Sequence, residues 1–230
     1  MTKKQVKDML IKGARGNDSE KVRIALNLGA DINATDEIGL TALHWAVKED
    51  HIDMVKYLIS HGANVNITSP HSLETPLHTA AFNNKLSSAD VLMENGADPS
   101  SKNKEGQTPL HISARVDALS LSELLIEKGA DVNARDNSNS TPIHIGALCC
   151  SFSVVKLLVQ KGANVNAQDT RGWTPLHIAY NIGIMPMAKL LTELGAAHTI
   201  LSKKGEEPQS LFTHSIEELI ESVTNAFKKI

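Results

Sequence analysis

The residues best able to do chemistry in this chain are its ten histidines and the adjacent pair Cys149 and Cys150. Histidine titrates near neutral pH and binds metals through either ring nitrogen, so ten of them invite a metal centre or a general base. Five of them, His44, His78, His111, His144 and His177, follow one another at steps of 33 or 34 residues. An equal step means an equal place in successive copies of one structural repeat. Packed helices lie about 8–10 Å apart, whereas zinc holds each nitrogen ligand at about 2.0–2.1 Å. One ion therefore cannot join two rungs of this ladder. Asp31, Asp98 and Asp131 recur with the same period, which reads as turn and capping residues rather than an acid–base pair. Adjacent cysteines cannot bridge distant segments, so no disulfide framework is expected. A redox or modification role for the two thiols stands beside an inert one. The chain carries no Gly-rich phosphate loop, no Cys-x-x-Cys, no His-Glu-x-x-His and no Gly-x-Ser-x-Gly, so neither an enzyme, a cofactor nor a metal is expected.

The elements that position these residues follow from the period. Thr75-Pro76-Leu77-His78, Thr108-Pro109-Leu110-His111, Thr141-Pro142-Ile143-His144 and Thr174-Pro175-Leu176-His177 recur at steps of 33, with Thr41-Ala42-Leu43-His44 one step of 34 earlier. A second marker keeps time with the first: Gly29-Ala30, Gly62-Ala63, Gly96-Ala97, Gly129-Ala130, Gly162-Ala163 and Gly195-Ala196. In residues 136–167, Thr141 can cap a helix and Pro142 suits its first turn. That helix should run to about Leu148, with Cys149-Cys150-Ser151 as the turn. Val154, Val155, Leu157 and Leu158 then give a second helix its apolar face, and Gly162 ends it. Asn164-Val165-Asn166 and Asp169 lead onward through a hairpin-like loop. Helices this short depend on their neighbours for burial.

The sequence resembles the ankyrin-repeat family from end to end. The resemblance implies an all-α solenoid of about seven stacked helix-turn-helix units with short hairpin-like loops, expected as one domain over 1–230. Its parts would be an N-terminal cap unit at 1–34, five repeats at 36–200 and a C-terminal cap unit at 202–230, the last with an amphipathic helix from about Ser215 to Phe227. It also implies that the five histidines bond backbone groups and tie one loop to the next. Asn33, Asn66, Asn133 and Asn166 occupy a loop position that is sometimes hydroxylated in the family.

Composition agrees. Apolar residues make up 41% of the chain but aromatics only 3%, which suits thin layers of short, closely packed helices. A net charge of −3 offers no basic field for a phosphate backbone, so nucleic acid is not the expected partner. No apolar run reaches the 18 or so residues of a membrane span, and the first residues show no signal-peptide run. A cytoplasmic monomer is expected, or one acting in a host cytosol if the chain is a microbial effector.

Partners of ankyrin repeats usually meet the concave face, made by loop tips and first helices. Projected onto this chain, the tips are Glu37, Ile38, Leu40, His71, Glu74, Lys104, Gln107, Asn137, Ser140, Arg171 and Trp173. The helix face is Lys48, Glu49, Phe82, Asn83, Arg115, Val116, Leu148, Cys149, Asn181 and Ile182. Phe82, Val116, Leu148 and Ile182 would form an apolar strip, and Trp173 is of the type most enriched in hot spots, unless these side chains turn inward and complete the core. Trp45 is read as core. The third unit departs from the pattern: an extra residue sits near Ser69-Pro70, and Leu73 replaces Gly39, Gly106 and Gly172. Left-handed backbone is costly for Leu, so a different loop path is expected there. The function implied is a non-enzymatic protein-binding module of adaptor, inhibitor or effector type. A structural spacer in a larger assembly is the second reading, and an enzyme with its site in the groove the third.

Overall fold

A computed structural model describes residues 1–212. Its helices come in pairs. The first pair is α1 (Lys3–Arg15) and α2 (Ser19–Asn27), the second α3 (Ala42–Lys48) and α4 (Ile52–Ser60), the third α5 (Pro76–Phe82) and α6 (Leu86–Glu94). Then follow α7 (Pro109–Arg115) with α8 (Leu119–Glu127), α9 (Pro142–Leu148) with α10 (Phe152–Gln160), and α11 (Pro175–Asn181) with α12 (Met185–Glu193). Residues 208–212 open a further helical turn. The helix expected from Ser215 to Phe227 lies outside the described residues. The described residues hold no strand, only an isolated bridge between Thr35 and Thr41.

Local chemistry sets the helix starts. Thr41, Thr75 and Thr174 accept through Oγ1 from the amides of His44, His78 and His177, while the histidine Nδ1 accepts from the threonine amide. This is a capping box with histidine where Glu or Gln is usual. Proline follows the cap in α5, α9 and α11, where its missing N–H is no loss. At the other end of the repeat, Gly162 takes φ +91° directly after α10 and its cap. An L side chain there would be strained although open space surrounds it.

The chain divides into two compact units, Met1–Ser113 with Ser120–Asp131, and Ala114–Leu119 with the chain from Val132 onward. In the first, α1 packs on α2 and α3, α3 on α4 and α5, and α6 on α4 and α5. Leu43, Leu58, Leu77 and Leu92 are fully buried there. In the second, α9 packs on α10 and α11, and α11 on α12, around Val155, Leu158, Leu176 and Leu191. Each such side chain contributes about 1.5–3 kcal/mol of burial.

The third repeat does not avoid the left-handed turn at Leu73 as expected, although its loop closes differently from the next one. Leu73 adopts φ +55°, the left-handed turn that glycine makes elsewhere. The loop absorbs its extra residue instead by closing from the Ser69 amide to the Glu74 carbonyl, where the next loop closes from Asn103 to Gln107. Ser69 also accepts the Leu73 amide on its carbonyl and the Glu74 amide on its hydroxyl, which itself bonds Ser72. Those bonds hold the backbone in a region that costs a non-glycine residue about 1–3 kcal/mol.

Candidate partner-binding surface

The histidine ladder is structural. Nε2 of His44, His78, His144 and His177 lies 3.2, 3.0, 3.1 and 3.2 Å from the carbonyls of Glu74, Gln107, Trp173 and Glu206. A carbonyl only accepts, so Nε2 carries the proton and Nδ1 is left to accept. Nδ1 does accept, from the hydroxyls of Thr41, Thr75, Thr108, Thr141 and Thr174 at 2.8–2.9 Å. Each ring thus ties a helix start to the next loop, as the resemblance implied. Burial pushes the pKa of His44 down to about 4 and lowers those of His78, His144 and His177, because a charged imidazolium there would lose its water. Among the described residues no group of three or more His, Cys, Asp and Glu is placed to hold a metal.

A second set of ties escaped the sequence reading. Asp36, Asn103, Asp136 and Asp169 each accept two backbone amides of their own loop on one side-chain oxygen, and Ser202 does the same through its hydroxyl. The signal was an Asp or Asn five residues before the capping threonine. Asp36 uses its other oxygen for the indole N–H of Trp45 at 2.7 Å, a pairing the spacing does not reveal. Asn66 gives its side-chain N–H to the Gly96 carbonyl and accepts the Asp98 amide. Asn133 does likewise with Gly162 and Asn164, and Asn166 with Gly195 and Ala197. These loops are fixed scaffolds for whatever their tips present.

In the first compact unit, Lys48 ends α3 half-buried and Glu49 caps it exposed, while Phe82 ends α5 with 57% of its surface in water. Asn83 turns its side-chain N–H back to the Thr79 carbonyl. Leu40, Lys48, Glu74, Thr79, Phe82 and Asn83 line a hollow of about 230 Å³. A larger one of about 460 Å³ lies against α1, where Ile11, Lys12, Arg15, Glu37 and Ile38 surround the edge of Trp45. Trp45 is buried, as expected for core, with Arg15 and Lys48 over its ring at 4.3 and 4.8 Å. Lys104 is exposed, but Gln107 is not the presented tip residue it was expected to be, being only 7% exposed. The loop folds over it, with its amide on Asn103 and its carbonyl on His78.

In the second compact unit, Leu148 ends α9 50% exposed, Ile182 caps α11 36% exposed, and Val116 follows α7 38% exposed. Arg115, Cys149 and Asn181 are exposed beside them. Burial raises the Cys149 thiol pKa, against a smaller pull from the Arg115 charge. At the tips, Ser140 is buried rather than presented. Trp173 is half-buried under the Arg171 guanidinium, 3.9 Å from its ring, and Arg171 pairs with the buried Asp169 at 2.7 Å. The hydrogen bonds to Arg171 hold the Asp169 carboxyl below its ordinary range against the opposing effect of burial. Phe82, Val116, Leu148 and Ile182 therefore all face water from the end of a first helix or the residue after it. No helix among the described residues is long and apolar enough to cross a membrane.

Comparison with known proteins agrees with this architecture. A family model described as ankyrin repeats (3 copies) matches residues 10–103 and 77–169, and one described as ankyrin repeats (many copies) matches 150–192. Palmitoyltransferase ZDHHC17 of Rattus norvegicus is 38% identical over 97 residues, 42% of this chain and 16% of that protein. The E3 ubiquitin-protein ligase Ufd4 of Drosophila melanogaster is 38% identical over 99 residues, 43% of this chain and 4% of that protein. The chain thus spans less than a fifth of the length of these curated relatives, and the activities in their names are not carried over by so short a likeness. Among solved structures, the ankyrin repeat domain of Bcl-3 matches with a TM-score of 0.78 and 28% identity over 87% of this chain and 91% of that one. The human ASB11 ankyrin repeat domain shares the fold, with a TM-score of 0.77 and 24% identity over 88% of this chain and 90% of that one. With its repeats matched from residue 10 to residue 192, this chain belongs to the ankyrin-repeat family.

Proposed function

We propose that this chain is a non-enzymatic module that binds another protein through the ends of its first helices and the adjoining loop tips. Ankyrin-repeat domains generally mediate protein–protein interaction, which is the coarser statement on which this one builds. The observation that carries the finer reading is the exposure of Phe82 and Leu148 at the ends of their first helices, and of Val116 and Ile182 one residue past the ends of theirs. Leaving four large apolar side chains in water gains the fold nothing, whereas covering them contributes to association. In the first unit Lys48, Glu74 and Asn83 line a hollow with Phe82, and in the second Arg115, Cys149 and Asn181 stand next in sequence to Val116, Leu148 and Ile182. Glu49, Lys104, Arg171 and Trp173 complete the proposed contact residues of their units. The loops are held by side-chain-to-backbone bonds in each repeat, so little ordering entropy is lost on binding. A reducing compartment such as the cytoplasm suits the exposed free thiol of Cys149.

Affinity capture with the unaltered chain, a Phe82→Ala variant and a Leu148→Ala, Ile182→Ala variant tests this. Substitutions at exposed positions shift stability by no more than about 0.5 kcal/mol, so equal helicity by circular dichroism is expected. A partner held by the unaltered chain should be lost or bound about tenfold or more weakly by at least one variant. Equal retention by all three would refute the assignment and leave the spacer reading in its place.

A further inference from the structure

Cys149 and Cys150 make the turn between α9 and α10, Cys149 capping α9 at φ −96° and Cys150 standing at φ +61°. The corresponding turns carry Asn17, Asp50, Asn84, Asp117 and Gly183, types that visit left-handed backbone at low cost. The turn therefore does not explain a cysteine at 150, nor a second one beside it. Both thiols are free, Cys149 exposed and Cys150 half-buried. Burial disfavours the Cys149 thiolate most, the Arg115 charge opposes that, and charge on the neighbouring Cys150 adds to it.

We propose that Cys149 and Cys150 form a two-thiolate binding site for a soft monovalent cation, with monovalent copper the ion whose chemistry fits. Thiolates select soft ions. Two thiolates side by side repel each other, and a cation between them removes that repulsion. Two thiolates on one monovalent ion leave a single negative charge, which Arg115 is placed to favour. Zinc asks for about four ligands, and no group of three or more His, Cys, Asp and Glu is placed to supply them among the described residues. A disulfide suits the pair poorly. Consecutive Cα atoms are about 3.8 Å apart, inside the roughly 4.4 Å at which relaxed disulfides begin. An ion held between the sulfurs widens their gap from about 2.0 Å toward twice a metal–sulfur bond of about 2.3 Å. It also enlarges the ring by one atom. Each thiol releases its proton to water as its metal–sulfur bond forms, and no electron is transferred.

The test is anaerobic titration of the whole chain with monovalent copper against a coloured copper(I) chelator, with the thiolate-to-copper absorption as a second readout. One ion per chain is expected, with its loss in Cys149→Ser and in Cys150→Ser. Arg115→Gln should weaken retention by about tenfold, as for groups that support a ligand without touching the metal. Circular dichroism checks that each variant keeps its helices. Absence of binding to the unaltered chain, or undiminished binding by either serine variant, overturns the proposal.

Discussion

His144 has both ring nitrogens engaged, Nδ1 with Thr141 and Nε2 with the Trp173 carbonyl, and it is fully buried. Removing the ring leaves a carbonyl and a hydroxyl without that partner, and an unsatisfied buried polar group costs about 1–3 kcal/mol. His144→Ala should therefore lower the unfolding free energy by at least that amount, read from the urea midpoint at constant slope. A midpoint unchanged from the parent would mean the ring is not a structural tie. The position of His144 was legible from the sequence because the period repeats it. Its partners were implied only by resemblance, since a carbonyl has no residue type to read. Trp45 marks the limit of such reading. Its burial could be inferred from its place after His44, but its bond to Asp36 depends on a loop path that no local pattern states.

At the level of elements, helix starts and ends were legible because threonine, proline and glycine have strong local preferences. The loop at 69–74 was not, because the preference of one residue was outweighed by several bonds. Leu73 keeps the left-handed turn against its own steric cost, held by Ser69. It is 44% exposed, so its side chain contributes little packing. Leu73→Gly should consequently stabilise the protein by about 1 kcal/mol, the penalty relieved by removing Cβ. Thermal unfolding would show a raised midpoint; a lowered one would mean that Leu73 packs more usefully than its exposure implies. Projecting the family's contact surface by the repeat period misplaced Gln107 and Ser140, because the period gives a place in the loop and not which side chains the hairpin folds over.

Across the whole molecule, the histidine ties make stability sensitive to acid. Their pKa values are lowered in the fold, to about 4 for His44, while in the unfolded chain they sit near 6.5. The unfolded state then binds more protons between those values, so stability is full above about pH 6.5 and falls as pH drops toward about 4. For His44 this amounts to up to about 1.4 kcal/mol per pH unit in that window, and the lowered His78, His144 and His177 act in the same direction. Urea midpoints measured from pH 7 to pH 4.5 should fall steadily, and less steeply in a variant lacking one ladder histidine. A flat profile would contradict the buried neutral rings. The repeat count and the apolar positions at the ends of first helices were readable from periodicity. Which of those side chains face water was not, because exposure is decided by packing between neighbouring repeats.

The central claim, that a protein partner is held at the helix ends and loop tips, is tested most directly by hydrogen exchange on this chain with and without a captured partner. Slowed exchange is expected at the loop tips and around Phe82, Val116, Leu148 and Ile182, with α4, α6, α10 and α12 unchanged. Protection confined to those second helices, with the helix ends exchanging as freely as before, would contradict it.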